Sequence, residues 1–439
     1  MRKIFSKTIR LGISAFALIA ICPNLAIAQT SEKIEIKEYW PNAKYDANVP
    51  TIKQVLGYEH GEKITNTADL IKYFEALQKY APSRVIIKDY GKSWQGRRLI
   101  YAFVGSEENI KNLEKIRANS VALADPRKTS IADKNAIIAN QPVIIWYTNS
   151  VHGDEISGAD ASLRLAYHLL AAQGDAKIDE ICKNTLIAIV PSQNPDGRER
   201  FLASNIGATG LSPDSDELAA ERDQPWPGGR MNHYHFDLNR DWFALTQPET
   251  LGQTKAFLEY YPQVVVDAHE MGRDGNFFFP PEADPINPTH TQEQKALRAI
   301  FGEGNGKWFD KFGIQYFTRE VFDGFYPGYG DSWPTSQGAI AMTYEQASAR
   351  GLVASGKDGS LLTFKDTVRN HFIAALATIE TAANNRNRIL NSFYEFRKSA
   401  IEEGAQSSTK SYIIPSQTNQ SGADKLAAVL ARQGIEIGQ

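Results

Sequence analysis

A chain of 439 residues is too long for one small core and suits one large α/β domain with extensions. Its 42% hydrophobic and 23% charged residues exclude disorder as its general state. A formal net charge of −3, with no long basic run, excludes an electrostatic footprint for nucleic acid.

In chain order, Arg2, Lys3, Lys7 and Arg10 precede an apolar run over 11–21, and Ala26-Ile27-Ala28 follows as a small-x-small cleavage site. This predicts a signal peptide over 1–28 and a mature start at Gln29. An uncleaved anchor is the alternative, but the run is short for a membrane span and ends at Pro23. A lipoprotein would need a small residue where Ile21 precedes Cys22. The expectation is export to a bacterial periplasm or medium, with no stable membrane association after cleavage. Beyond residue 28 only Cys182 remains, so stability must come from core burial and not from an internal disulfide.

Residues 29–60 are polar and Pro-containing and read as a surface lead-in to a main domain over 61–403. A helix is expected over 69–80, then a hairpin of strands 84–90 and 99–104 with Gly96 in its turn. The runs PVIIWYT (142–148), TLIAIV (185–190) and VVVD (264–267) are almost continuously apolar, as strands buried on both faces are. AIAMTY (339–344) is a further strand candidate. Helices are expected over 158–171, 249–260, 292–312 and 361–379. The alternation predicts an α/β fold with a mixed, mostly parallel central sheet covered by helices. Residues 205–236 read as a long loop between core elements, a common place for function. In the segment 404–439, a strand (412–415), a helix (423–433) and a strand (435–437) read as the start of a further α/β module, with a plain tail as the alternative.

Chemistry concentrates at strand ends. His152-Gly153-Asp154-Glu155 follows the first buried strand, and a His and a carboxylate three apart can reach one metal. His269, at the end of VVVD, supplies a third ligand and leaves a fourth position open, the catalytic zinc pattern. An isolated H-x-x-E is more often a surface pair. Of the other histidines, His60, His290 and His371 have no ligand-like context, His168 reads as structural, and His233 and His235 lie in the long loop. Asn194-Pro195-Asp196-Gly197 has an ordinary turn as its plain reading. In Asp237-Leu238-Asn239-Arg240-Asp241, Asn239 and the planar fork of Arg240 suit a grip on a carboxylate, against a surface ion pair with Asp237 or Asp241. Glu345 emerges from a buried strand and is a candidate general base.

His152/Glu155, Asn194–Gly197, Asn239-Arg240, His269, a Tyr and Glu345, in that order over roughly 60–390, resemble the carboxypeptidase A/B family of zinc metallocarboxypeptidases. The resemblance implies a metallocarboxypeptidase acting on peptide or protein C-termini, with one zinc ion per chain held by His152, Glu155 and His269. It implies Glu345 as general base, Asn239 and Arg240 as carboxylate binders, and Tyr326 as the mobile Tyr, with Tyr329 competing. An oxyanion arginine is implied upstream, Arg230 being preferred to Arg222, and Asp267 is a candidate to orient His269. Asp154 departs from digestive members, which carry Arg there, and the 205–236 loop is longer than theirs. Asp331 lies near where the family places its specificity pocket. An amidase or deacylase acting on cell-wall peptides or N-acyl amino acids is the alternative on the same scaffold, and a non-catalytic binding module that retains the pocket is a second.

Overall fold

The computed structural model describes Trp40, residues 44–415 and residues 418–438, so the signal segment expected over 1–28 lies outside the described residues. The strands that build the fold are β1 (Val85–Lys92), β2 (Arg98–Val104), β3 (Val143–Asn149), β4 (Thr185–Val190), β5 (Val264–Met271), β6 (Phe277–Phe278) and β7 (Ile340–Ala347). They form one seven-stranded sheet in the order β1-β2-β4-β3-β5-β7-β6. The four inner strands β4, β3, β5 and β7 run parallel, while the β1–β2 hairpin and β6 join antiparallel at the edges. This is the mixed α/β sheet that the apolar runs imply.

Side-chain alternation explains why the central runs are apolar on both faces. In β3, Ile145 and Tyr147 enter one core and Ile144 and Trp146 the other. The first core is shared with α1 (Thr67–Tyr80), α2 (Ser157–Ala171), α5 (Gln292–Lys311) and α6 (Phe364–Asn384). The second takes Ala256, Phe257 and Tyr260 of α4 (Pro248–Tyr260), together with Trp242 and Trp333. A fully buried side chain of this size contributes roughly 1.5–3 kcal/mol.

Three expectations change. The Asn194–Gly197 motif opens a helix, α3 (Pro195–Ala208), where the plain reading was a turn: Asn194 caps it through its side chain and Pro195 occupies the first turn. A second long helix, α7 (Arg386–Gln406), follows α6. No strand forms at 412–415 or 435–437. The C-terminal segment supplies only α8 (Gln420–Arg432), and Gln433 behind it docks on the Trp333 indole and donates to the Phe243 carbonyl at 2.7 Å. Such short apolar segments lack the length to form strands on their own. Among the described residues, no helix is long and apolar enough to cross a membrane.

Candidate metal centre and its cleft

The site lies at the C-terminal ends of parallel strands, where a doubly covered sheet leaves a crevice. His269 is in β5 and pairs in register with Glu345 of β7, so the two side chains emerge at one level. The turn carrying His152 and Glu155 continues β3, with Ser150 in the left-handed region (φ 55), a strained conformation for a residue with a Cβ. Helix α2 then begins without a cap of its own. The carboxylate of Glu270, next to His269, accepts from the backbone N–H groups of Ile156 (2.9 Å) and Ser157 (2.8 Å), and negative charge is favourable at a helix N-terminus. That contact ties the His152–Glu155 turn to β5.

The carboxylate of Glu155 sits between two imidazoles, 2.7 Å from His152 Nδ1 and 3.0 Å from His269 Nδ1. Ligand atoms of His152, Glu155 and His269 all lie within 4.8 Å of one another, and all three residues are buried. The outer nitrogens are fixed by carboxylates: His152 Nε2 faces Asp237 at 3.0 Å and His269 Nε2 faces Asp267 at 2.8 Å. Asp267 in turn accepts from Thr148 (2.9 Å) and Gln193 (2.8 Å). Two imidazoles and a carboxylate, each histidine backed by an acid, fit a zinc ion with a position left open.

Electrostatics point the same way. Burial works against ionising Glu155, but the two imidazoles outweigh it and hold its carboxyl well below the usual range. Burial also opposes charge on His269, yet Asp267 and Glu155 together raise its pKa well above the ordinary value, and Glu155 and Asp237 raise that of His152. The pocket is built to hold positive charge, as protons or as a cation that displaces them. Glu345 is pushed up to about 8 by burial, with His269 pulling it down and Glu155 pushing it up.

A cleft of about 430 Å³ opens over this centre, lined among others by His152, Glu155, Arg230, Asn239, Arg240 and Glu345. Arg230 approaches His152 Nδ1 at 3.2 Å and Glu155 at 3.6 Å and pairs with Asp237 at 3.0 Å. Arg222 lies elsewhere: its guanidinium serves the carbonyls of Asp214, Asp216 and Val353. Asn239 accepts from Gly330 N–H at 2.7 Å, and its amide stands 3.3 Å from His269 Nε2. Arg240 stacks over the Tyr329 ring at 4.7 Å and forms no ion pair among the described residues. Tyr329 lines the cleft; Tyr326 is not among its lining residues, and its hydroxyl stands 3.4 Å from the Arg240 carbonyl. The rings meet edge to face at 5.2 Å, so a three-residue shift separates the two readings.

Sequence reasoning missed several supports. Asp237 orients His152; its place two residues before Asn239 was the only signal. His371, set aside in the sequence, lies 3.2 Å behind the His269 carbonyl. Asn194 and Gly197 stay out of the cleft and clamp the loop carrying Arg230. Asn194 donates to the Arg230 carbonyl at 3.0 Å. A Cβ on Gly153 would meet the Arg198 nitrogen at 2.1 Å and the Gly197 carbonyl carbon at 2.2 Å.

With this geometry in place, similarity to known proteins becomes interpretable. The family profile described as zinc carboxypeptidase matches residues 70–263, ending before His269 and Glu345. Carboxypeptidase D of Anas platyrhynchos is 32% identical over 154 residues, 33% of this chain and 10% of that protein. Carboxypeptidase Z of Homo sapiens is 31% identical over 99 residues, 22% of this chain and 13% of that protein. The chain thus spans only a small part of these curated relatives. The solved structure of thrombin activatable fibrinolysis inhibitor shares the fold, with a TM-score of 0.50 at 12% identity over 78% of this chain and 83% of that one. Over residues 70–263, this chain is similar to the zinc carboxypeptidase family.

Proposed function

We propose that this protein is an exported metallocarboxypeptidase that releases C-terminal residues from peptides. The observation that carries the reading is a guanidinium with no ion pair among the described residues, Arg240, in the same cleft as the His152–Glu155–His269 cluster and Glu345. Zinc held by the three residues would supply a Lewis acid that acidifies water and polarises a carbonyl. Arg240, stacked on Tyr329, takes the terminal carboxylate with Asn239 beside it. This grip makes the reaction exolytic, because only the last peptide bond then reaches Glu345.

Glu345 takes a proton from the attacking water on a carboxylate oxygen and returns it to the leaving nitrogen. Burial raises its pKa towards neutrality, which suits a group that must both accept and donate. Arg230 stabilises the oxyanion from its place beside Glu155 and His152. Asp237 and Asp267 keep the two imidazoles turned towards Glu155.

The test is incubation with a peptide mixture, read by mass spectrometry, with and without a chelator. Loss of single C-terminal residues, abolished by chelator, restored by zinc and far slower for amidated peptides, is expected. Equal cleavage of amidated peptides, or release of acyl groups instead of amino acids, would sink the carboxypeptidase reading in favour of an amidase or deacylase.

A further inference from the structure

Arg350 lies in the wall of the same cleft, with no role in the chemistry above. It follows β7 in the left-handed region (φ 41), a conformation that costs energy in a residue with a Cβ and persists only when the surroundings impose it. The surroundings do so from two sides. Its backbone N–H donates to Ser348 Oγ at 3.1 Å, and the Ser348 hydroxyl donates to Glu270 at 2.5 Å. Its Nη1 pairs with Asp154, which also accepts from Gln224 at 3.0 Å. A third of the Arg350 side chain stays exposed, and among the described residues no acceptor sits on its other guanidinium nitrogens. One nitrogen of the fork is spent on Asp154, and the residue lines the cleft.

The order of groups along the cleft says what the remaining nitrogens would meet. Thr343 donates to Asp331 at 3.0 Å, and both line the cleft, as do Asn239, Arg240 and Tyr329. The cleft face of β7 then carries Glu345, and Arg350 comes after the strand ends. A strand advances about 3.3 Å per residue, so Thr343 and Glu345, consecutive positions on the same face of β7, are roughly 7 Å apart. With the terminal residue at Thr343 and the scissile bond at Glu345, the preceding residue falls towards Arg350.

We infer that Arg350 binds the substrate residue immediately upstream of the scissile bond and favours a carboxylate side chain there. This rests on the carboxypeptidase reading and deepens it. Asp154 offsets part of the charge and holds the fork in place, and the free edge offers two parallel N–H donors to an Asp or Glu side chain.

The experiment compares N-blocked peptides that share a terminal residue and carry Glu, Ala or Lys before it, on the zinc-loaded wild type, Arg350→Ala and Arg350→Gln. The wild type should favour Glu over Lys by about fivefold in kcat/KM, with Ala between. Both variants should collapse that order to within about twofold while keeping zinc content. Arg350→Gln retains a donor towards Asp154, so it reports on charge even where the alanine variant fails to fold. An order unchanged in the variants, or an equal loss on all three peptides, overturns the inference. A wild type that removes terminal residues with no preference overturns it alone, while a wild type that removes none overturns the carboxypeptidase reading beneath it.

Discussion

The cleft is made of two kinds of material. His269 and Glu345 stand on adjacent parallel strands in register, and the His152–Glu155 turn is pinned to the same sheet by Glu270. Arg230 and Asp237, by contrast, come from the irregular stretch after α3, which holds only short 3-10 turns. The first region is positioned by a continuous ladder. The second depends on a few discrete clamps: Asn194 on the Arg230 carbonyl, the close approach of Gly153 to residues 197 and 198, and Asn232 on Gln247. The metal-binding cluster and the general base are tied to the sheet, while the oxyanion and carboxylate-binding arginines sit on loops.

The sharpest way to break that comparison is at the ladder. Glu345→Gln should keep zinc and fold, yet lower kcat by about 10³-fold or more, since the amide cannot take the proton. His269→Ala should lose the metal itself, read as zinc per chain after dialysis. If Glu345→Gln turned over at the wild-type rate, the base would have to be sought on the loop side. Arg240→Ala comes next. It should lower kcat/KM for free C-termini by about 10²-fold, through loss of a charge-assisted grip, with amidated peptides unaffected. Equal losses on both would remove Arg240 as the anchor.

The clamp is tested by Gly153→Ala. The added methyl would run into backbone, which cannot step aside, so a loss of about 3 kcal/mol in urea unfolding is expected. Gly207, in α3, has open space around its Cβ position, and Gly207→Ala should be neutral or slightly stabilising. If the two variants were equally stable, the close approach at Gly153 would not be holding the Arg230 loop.

The same division sets what could be read from the amino-acid order. The ladder was legible because burial on both faces demands runs such as PVIIWYT and VVVD, and the residues just past them open into the crevice. The loop side was not, since its contacts join residues far apart in the chain. Asp237 meets His152 across 85 positions and Arg350 meets Asp154 across 196, and no local pattern encodes such pairs. Pro195 and Gly197 look like turn residues in isolation; the Asn194 cap and tertiary packing override that preference and make a helix start. The terminal segments 412–415 and 435–437 failed for the opposite reason: their local β preference spans too few residues to hold a strand without a partner. Tyr326 and Tyr329 share one short segment, and only packing against Arg240 distinguishes them.

The smallest effect tests whether the loop side has its own pH sensitivity. Glu249, in the first turn of α4, lies under the loop with Asn232 at 3.4 Å and is buried. Burial pushes its pKa up to about 7, with the Asn232 hydrogen bond opposing and Asp196 adding to the rise. A carboxyl with a folded pKa above its unfolded value of 4.5 favours the fold while protonated in both states. That contribution is complete below about pH 4.5 and fades as pH rises to about 7, for a loss of at most roughly 3.5 kcal/mol at about 1.4 kcal/mol per unit. Glu249→Gln, which cannot ionise, should therefore match or trail the wild type at pH 5 and exceed it in melting temperature at pH 8. The ladder side carries no such dependence through Glu249, so zinc content should be the same in both proteins across that range. A variant less stable than wild type at pH 8 would mean that the carboxylate is bound more firmly by the loop than its surroundings indicate, and the loop would then be anchored by charge and not by neutral hydrogen bonds.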